Sequence, residues 1–525
     1  MLKELHKKLS SSINSKSFDI VLIGIVLIAM IFRIGWIIYT NYTYEDAFIT
    51  FQYARRISAG DGFVYNIGER IYGTTTPLFS LLLSGWIILF GEESIILGAR
   101  LITMSAALST FIFLLKSLQH LGISRIQQIS VLALLAIWPK LWQIDTGGME
   151  TSLVLMLISA SWYAILRGKL LWTGILLGLL LWTRIDTILW VLLVPIIELT
   201  TNYKNSIRVL SIAVFVYLPW IVFSYIYFGS PIPYTIISKQ VAYAQFNQMP
   251  FVSHLLAIVK RLGPVSSLIF PGYFKGTAAL CTCLIIALAV WQIQKIRKNK
   301  YLLIFPVFGI LEVIRLTLTK ATFTSRYLIP TLLVIILLCG LSLGDLFNTR
   351  LTKKKMGKYL YASTIGICFI YIISLGIQEA IIDKKVQIYR HEKSLRAIGL
   401  WIDQNTDPDI VVQLEPLGYA GYYSKRKMVD IVGLITPSVV EFKRKGIMDP
   451  SQYLPILEPA YFIVHCDDII QWKENDLKSQ SNYISKYQKA IVFNPLEFDS
   501  SNPSAKTGPD FWLSRSSCYE IWRRK

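Results

Sequence analysis

Charge is scarce in this 525-residue chain: Asp, Glu, Lys and Arg together make up 16% of it. A soluble protein of that size needs more polar surface, so lipid must cover part of this one. Histidine is scarce too, with five residues and none at ligand spacing, so nothing in the pattern suggests a metal site. The six cysteines are scattered. Cys281, Cys283, Cys339 and Cys368 fall in apolar runs and read as small packing residues. Cys466 and Cys518 fall in a polar C-terminal stretch, where a disulfide is an option if that stretch lies outside the cytoplasm.

What the chain has instead is apolar length. Hydrophobic residues make up 54%, gathered in blocks at 18–40, 94–115, 127–142, 151–166, 207–228, 277–291, 301–319, 327–346 and 359–376. Two shorter blocks, 170–182 and 188–197, flank the polar step Thr183-Arg184-Ile185-Asp186. A membrane-spanning helix takes roughly 20 such residues. The block at 18–40 follows a basic N-terminus. It is too long for a signal peptide and has no small-residue cleavage site, so it reads as an uncleaved first span.

The acids are outnumbered, 33 against 53 Lys+Arg, for a net charge of +20. Such a balance suggests nucleic acid first, but its distribution argues otherwise. Residues 379–525 are nearly neutral, with 20 basic and 19 acidic residues. Six segments, 1–17, 116–126, 167–169, 201–208, 295–300 and 347–358, hold 19 basic residues and one acid. That is the signature of cytoplasmic loops. Keeping all six inside requires that the stretches 78–90 and 255–270 do not span. About eleven spans then remain, with loop 41–93 and the tail outside. If both stretches spanned, three of the basic segments would be carried outside.

The chain thus divides into a polytopic α-helical module, 1–378, and an extracytoplasmic α/β domain, 379–525. In the tail, 391–404 has helical spacing. Short strand-like runs follow at 409–414, 428–432, 461–466, 490–493 and 519–522. The polar stretch 473–482 reads as an insertion loop. No catalytic signature stands out there, which favours binding or scaffolding.

Chemistry concentrates in the first external loop. Glu45 and Asp46 stand just past the first span, followed by an amphipathic helix, roughly 47–58, expected to lie along the interface. Arg55 and Arg56 are expected to meet lipid head groups. A carboxylate at the membrane edge is well placed to deprotonate a hydroxyl, and external cations can hold a leaving phosphate. The plainer alternative is that the acid pair only caps the helix.

The surroundings of the pair carry a resemblance. The runs Ala47-Phe48-Ile49-Thr50-Phe51-Gln52-Tyr53-Ala54-Arg55, Gly62-Phe63-Val64-Tyr65-Asn66-Ile67-Gly68-Glu69-Arg70 and Gly73-Thr74-Thr75-Thr76-Pro77-Leu78 resemble the GT-C superfamily of polyprenyl-phosphate-dependent glycosyltransferases. The nearest likeness is to the terminal arabinofuranosyltransferases. Sparser matches follow at Gly148-Met149-Glu150-Thr151, at Thr183-Arg184-Ile185-Asp186, at the loop from Phe228 to Lys239, and at Ser325-Arg326-Tyr327 with Pro330. In the tail they recur at 418–424 and 430–434. The family usually shows two Asp at the pair, where this chain has Glu45 and then Asp46.

The resemblance implies a membrane glycosyltransferase of the bacterial inner membrane. It would move a pentose or hexose from a polyprenyl monophosphate to an external glycan or glycolipid, with Asp46, seconded by Glu45, as the catalytic carboxylate. Arg326, Lys239 and Arg184 are the candidates for holding the donor phosphate, though snorkelling explains such cations too. Glu150, Tyr65, Asn66 and Glu69 are candidates for substrate binding. The motifs make no cofactor certain, and a divalent cation held by one carboxylate of the pair is an open alternative. The rival readings are a transporter or flippase for a lipid-linked saccharide, and a non-catalytic scaffold that binds cell-wall polymer.

Overall fold

The structure is a computed structural model describing residues 2–199, 202–242, 250–261, 277–319, 325–347, 355–478, 483–498 and 509–525. It is a mostly helical integral membrane protein with a small C-terminal sheet domain. Among the described residues six helical stretches are long and apolar enough to cross a bilayer: Phe18–Thr40, Glu92–His120, Tyr203–Phe228, Lys300–Thr319, Arg326–Phe347 and Tyr359–Asn405. A bent pair, Pro139–Thr146 and Thr151–Leu166 at 108°, brings the number to seven if counted as one span. Pro77–Phe90, Arg125–Ile137, Leu170–Thr183 and Leu284–Ile296 are apolar but shorter.

The run 127–142 does not form one helix. Pro139 cannot donate a backbone hydrogen bond, so Arg125–Ile137 ends there and Pro139–Thr146 begins anew. The step at Arg184 likewise separates Leu170–Thr183 from Ile188–Leu199. Close packing follows from small residues. Gly174 and Gly178 lie four apart on one helix face and admit Ile212 and Val216 of Tyr203–Phe228. The stretch 78–90 is the helix Pro77–Phe90. Of 255–270, only the part in Phe251–Arg261 falls within the described residues.

Inside the helical body, Arg33 and Asp145 form a buried ion pair at 2.7 Å. Ser152 Oγ donates to the same carboxylate at 2.6 Å, and Arg33 also donates to the Ala29 carbonyl.

Among its described residues the C-terminal domain has five strands: β1 (Val411–Leu414), β2 (Lys427–Asp430), β3 (Tyr461–His465), β4 (Tyr487–Phe493) and β5 (Tyr519–Arg524). They are ordered β2-β1-β3-β5-β4. β1 is parallel to β2 and β3, and β5 is antiparallel to β3 and β4. The helix expected at 391–404 divides between the π-helical segment Val386–Arg396 and the α-helix Ala397–Asn405. Most of 473–482 is not a loop: helix Asp468–Lys478 takes up its first part, and 479–482 lie outside the described residues. Cys466 and Cys518 form a disulfide with Cα atoms 5.5 Å apart.

The helix Ala47–Ser58 forms as read, but protein rather than lipid covers it. Phe48 packs against Tyr419 at 3.9 Å between ring centroids. Arg55 is buried, donates to the Tyr422 carbonyl at 3.0 Å, and pairs with Glu92 at 3.3 Å, so it does not meet head groups. Arg56 pairs with Asp61 at 3.1 Å. The apolar face predicted for a membrane surface is the seat of the C-terminal domain.

Candidate active site

The corner between the first helix and Ala47–Ser58 is held from three directions. Arg100 donates to Asn41, to the Tyr42 carbonyl, to Thr43 Oγ and to the Thr146 carbonyl, at 2.9–3.2 Å. Gln387, on the π-helical segment, accepts from the Thr43 backbone N–H at 3.1 Å. Tyr44 donates its hydroxyl to Gln143 at 2.7 Å, and Gln143 donates to Asp383 at 2.7 Å. A carboxylate placed on this corner has little freedom to move.

Glu45 turns toward the C-terminal domain, where the Gly418 N–H donates to its carboxyl. Any Cβ at Gly418 would collide with the Glu45 backbone oxygen, so only glycine permits the approach. Gly418→Val is therefore expected to push the domain off this corner. Faster limited proteolysis of the C-terminal domain, compared with wild type, would register it.

Asp46 turns the other way. It sits at the N-cap of Ala47–Ser58 but makes no side-chain capping bond. Its carboxylate instead meets Arg326 at 2.6 Å, with the Asp46 side chain 39% exposed and that of Arg326 10%. Burial pushes Asp46 up, but the charges of Arg326 and Lys239 outweigh it and hold its carboxyl below the usual range. Glu45 is driven the opposite way, to about 8, by burial and then by the negative charge of Asp46. The opposite shifts favour a proton on Glu45 and a charge on Asp46.

The three cations named from sequence meet around one ring. Lys239 Nζ, on helix Tyr234–Ala242, donates to the Tyr327 hydroxyl at 3.1 Å. The Arg184 and Arg326 guanidinium carbons lie 4.7 and 5.3 Å from the centroid of the Tyr327 ring. Arg184 is fixed by Glu150 at 2.8 Å and by both oxygens of Asp186 at 2.9 and 2.6 Å. Burial raises Asp186, yet the Arg184 charge brings it down to about 2. A cavity of about 150 Å³ opens beside Lys239, Arg184 and Tyr327, with Arg315, Thr75 and Thr235 in its wall.

Asp46, Arg326, Lys239 and Arg184 thus form one constellation, with Glu150 behind Arg184. Tyr65, Asn66 and Glu69 stand apart from it and hold the C-terminal domain. Tyr65 donates to the Leu417 carbonyl at 2.9 Å. Asn66 exchanges two 2.9 Å bonds with the Met428 backbone, and Glu69 pairs with Lys427 at 2.6 Å. Sequence reasoning missed Tyr327 and Arg315 as site residues. Arg315 carried a signal, being a charge within an apolar run with Glu312 one turn before it, the two now 2.6 Å apart.

Residues 383–521 match the family model described as a domain of unknown function (DUF8728). No curated protein matches the chain in sequence. Among solved structures the fold is similar to ArnT from Cupriavidus metallidurans in the apo state. That likeness has a TM-score of 0.58 at 11% identity and covers 88% of this chain and 95% of that one. The same protein bound to undecaprenyl phosphate gives a TM-score of 0.56 at 10% identity, over 95% of this chain and 97% of that one. At this identity the likeness is one of fold.

Proposed function

We propose that the chain is a GT-C-type membrane glycosyltransferase. It moves a sugar, arabinofuranose or a similar pentose or hexose, from a polyprenyl monophosphate to a glycan or glycolipid outside the cytoplasm. The observation that carries this reading is the carboxylate Asp46, held 2.6 Å from Arg326 within a cationic cluster. A base and a phosphate-holding group thus stand within one substrate's reach of each other. The ArnT fold, seen elsewhere with undecaprenyl phosphate, supports the lipid donor. The Cys466–Cys518 disulfide supports an extracytoplasmic tail, as does the eleven-span arrangement drawn from the basic loops.

In an inverting displacement the acceptor hydroxyl gives its proton to Asp46. Its oxygen bonds to the anomeric carbon as the bond from that carbon to the phosphate oxygen breaks. The electron pair leaves with the polyprenyl phosphate, and Arg326, Lys239 and Arg184 stabilise the added charge. Glu150 and Asp186 position Arg184. Tyr65, Asn66 and Glu69 act on the acceptor side by seating the C-terminal domain.

Purified protein incubated with a panel of labelled polyprenyl-phosphate sugars tests the reading. Transfer to an acceptor supports it, whereas movement of lipid between leaflets without turnover makes the chain a flippase. The acid pair adds a pH signature. Glu45 keeps its proton below about 8 and loses it above. Two adjacent carboxylates would then both be charged, so transfer should decline as pH rises through that value. Glu45→Gln, which cannot ionise, should stay active and lose this decline. An unchanged alkaline limb in the pH–rate profile of Glu45→Gln would count against a shared proton.

A further inference from the structure

The base and the phosphate site are not independent in this structure, because one occupies the other. Asp46 Oδ2 lies 2.6 Å from Arg326 Nη2, on the guanidinium that the donor phosphate is expected to claim. Arg326 is only partly satisfied by this contact. Among the described residues its Nε is buried with no hydrogen-bond partner, and its Nη1 reaches only the Met149 sulfur, at 3.9 Å. A guanidinium offers parallel donors to two oxygens at once, and here one of its edges is unfilled. Lys239, on the same tyrosine ring, is positioned to reach a further oxygen. A phosphate satisfies these groups together, whereas Asp46, fixed by its corner, meets Arg326 alone.

Resting on the reading above, we propose that the Arg326–Asp46 ion pair is a latch that a polyprenyl phosphate opens. The phosphate takes the place of the Asp46 carboxylate on Arg326, and the released carboxylate becomes the proton acceptor beside Glu45. The exchange makes and breaks no covalent bond. Its consequence is an order of events. Until a donor phosphate is seated, Asp46 is tied to a cation and is a poor base. The acceptor hydroxyl, or water in its place, therefore meets an active base only when the donor is already bound. Donor binding carries the expense of breaking the latch, so removing the carboxylate should tighten it. A carboxylate that only supported the site would, on removal, loosen it or leave it alone.

The experiment measures undecaprenyl phosphate binding to the purified full-length chain, comparing wild type, Asp46→Asn, Arg326→Gln and the double variant. Asp46→Ser serves as a second, smaller replacement, and thermal unfolding checks that each variant is folded. Both Asp46 variants should bind about fivefold more tightly than wild type, a partly exposed ion pair being worth up to about 1 kcal/mol. With Arg326→Gln already present, Asp46→Asn should change nothing. Equal or weaker binding by both folded Asp46 variants overturns the latch while leaving the lipid-donor reading intact. So does a gain that persists without Arg326. If wild type fails to bind undecaprenyl phosphate while folded, the donor reading itself falls, and the latch with it.

Discussion

Asp46→Asn should lower the rate of sugar transfer by about a thousandfold, the middle of the range for loss of a positioned general base. The substitution keeps the size of the side chain and its place on the corner held by Arg100, Gln387 and Gln143. What it removes is the capacity to take a proton. The fold has no stake in the charge as a helix cap, since Asp46 makes no side-chain capping bond. Its ion pair with Arg326 is partly exposed and worth up to about 1 kcal/mol, so the variant should unfold at nearly the wild-type temperature. Initial rates with a labelled lipid donor, alongside thermal unfolding, check both halves. A variant retaining more than a tenth of wild-type transfer would remove Asp46 from the chemistry.

The second large effect is on stability. Asp145→Leu should destabilise the folded protein by about 3–5 kcal/mol, because it leaves Arg33 buried and unpaired. Arg33 is 1% exposed, and its guanidinium has the Asp145 carboxylate at 2.7 Å and the Ala29 carbonyl at 3.0 Å. At that burial bulk water does not reach the guanidinium to replace the carboxylate. The double replacement Arg33→Leu with Asp145→Leu should recover much of the loss, since neither charge then remains to be solvated. Thermal unfolding in a single detergent compares the three proteins. Equal melting temperatures for wild type and Asp145→Leu would show that the pair adds nothing.

The acid pair, Arg184 and Arg326 could be named from the sequence because each is a charged residue at the end of an apolar run, and Lys239 because its external loop resembles the family's. Such positions are few, and spanning helices bring their ends to one level. Asp46, Arg326, Lys239 and Arg184 come together from segments as far apart as residues 46 and 326 for that reason. The positions of Tyr65, Asn66 and Glu69 were less legible. They share the loop that bears the acids, but their partners Leu417, Met428 and Lys427 lie about 350 residues further on. Nothing local to the loop encodes that pairing. Helix Ala47–Ser58 shows the same limit: an amphipathic pattern states that one face is covered, not whether lipid or protein covers it. The break at Pro139 was legible in principle, yet a continuous apolar run hid it.

The last long helix, Lys355–Lys385, runs without a break into the π-helical segment Val386–Arg396 and on through Ala397–Asn405. The C-terminal domain is thus mounted on a rigid post and bolted down a second time where Gly418 meets Glu45. A part fixed at two points does not swing. On the proposed function, substrates would enter from the flank, on the side where Asp46 is exposed. A fixed gap of that kind would limit the bulk of the proposed acceptor at its tip and not its length behind.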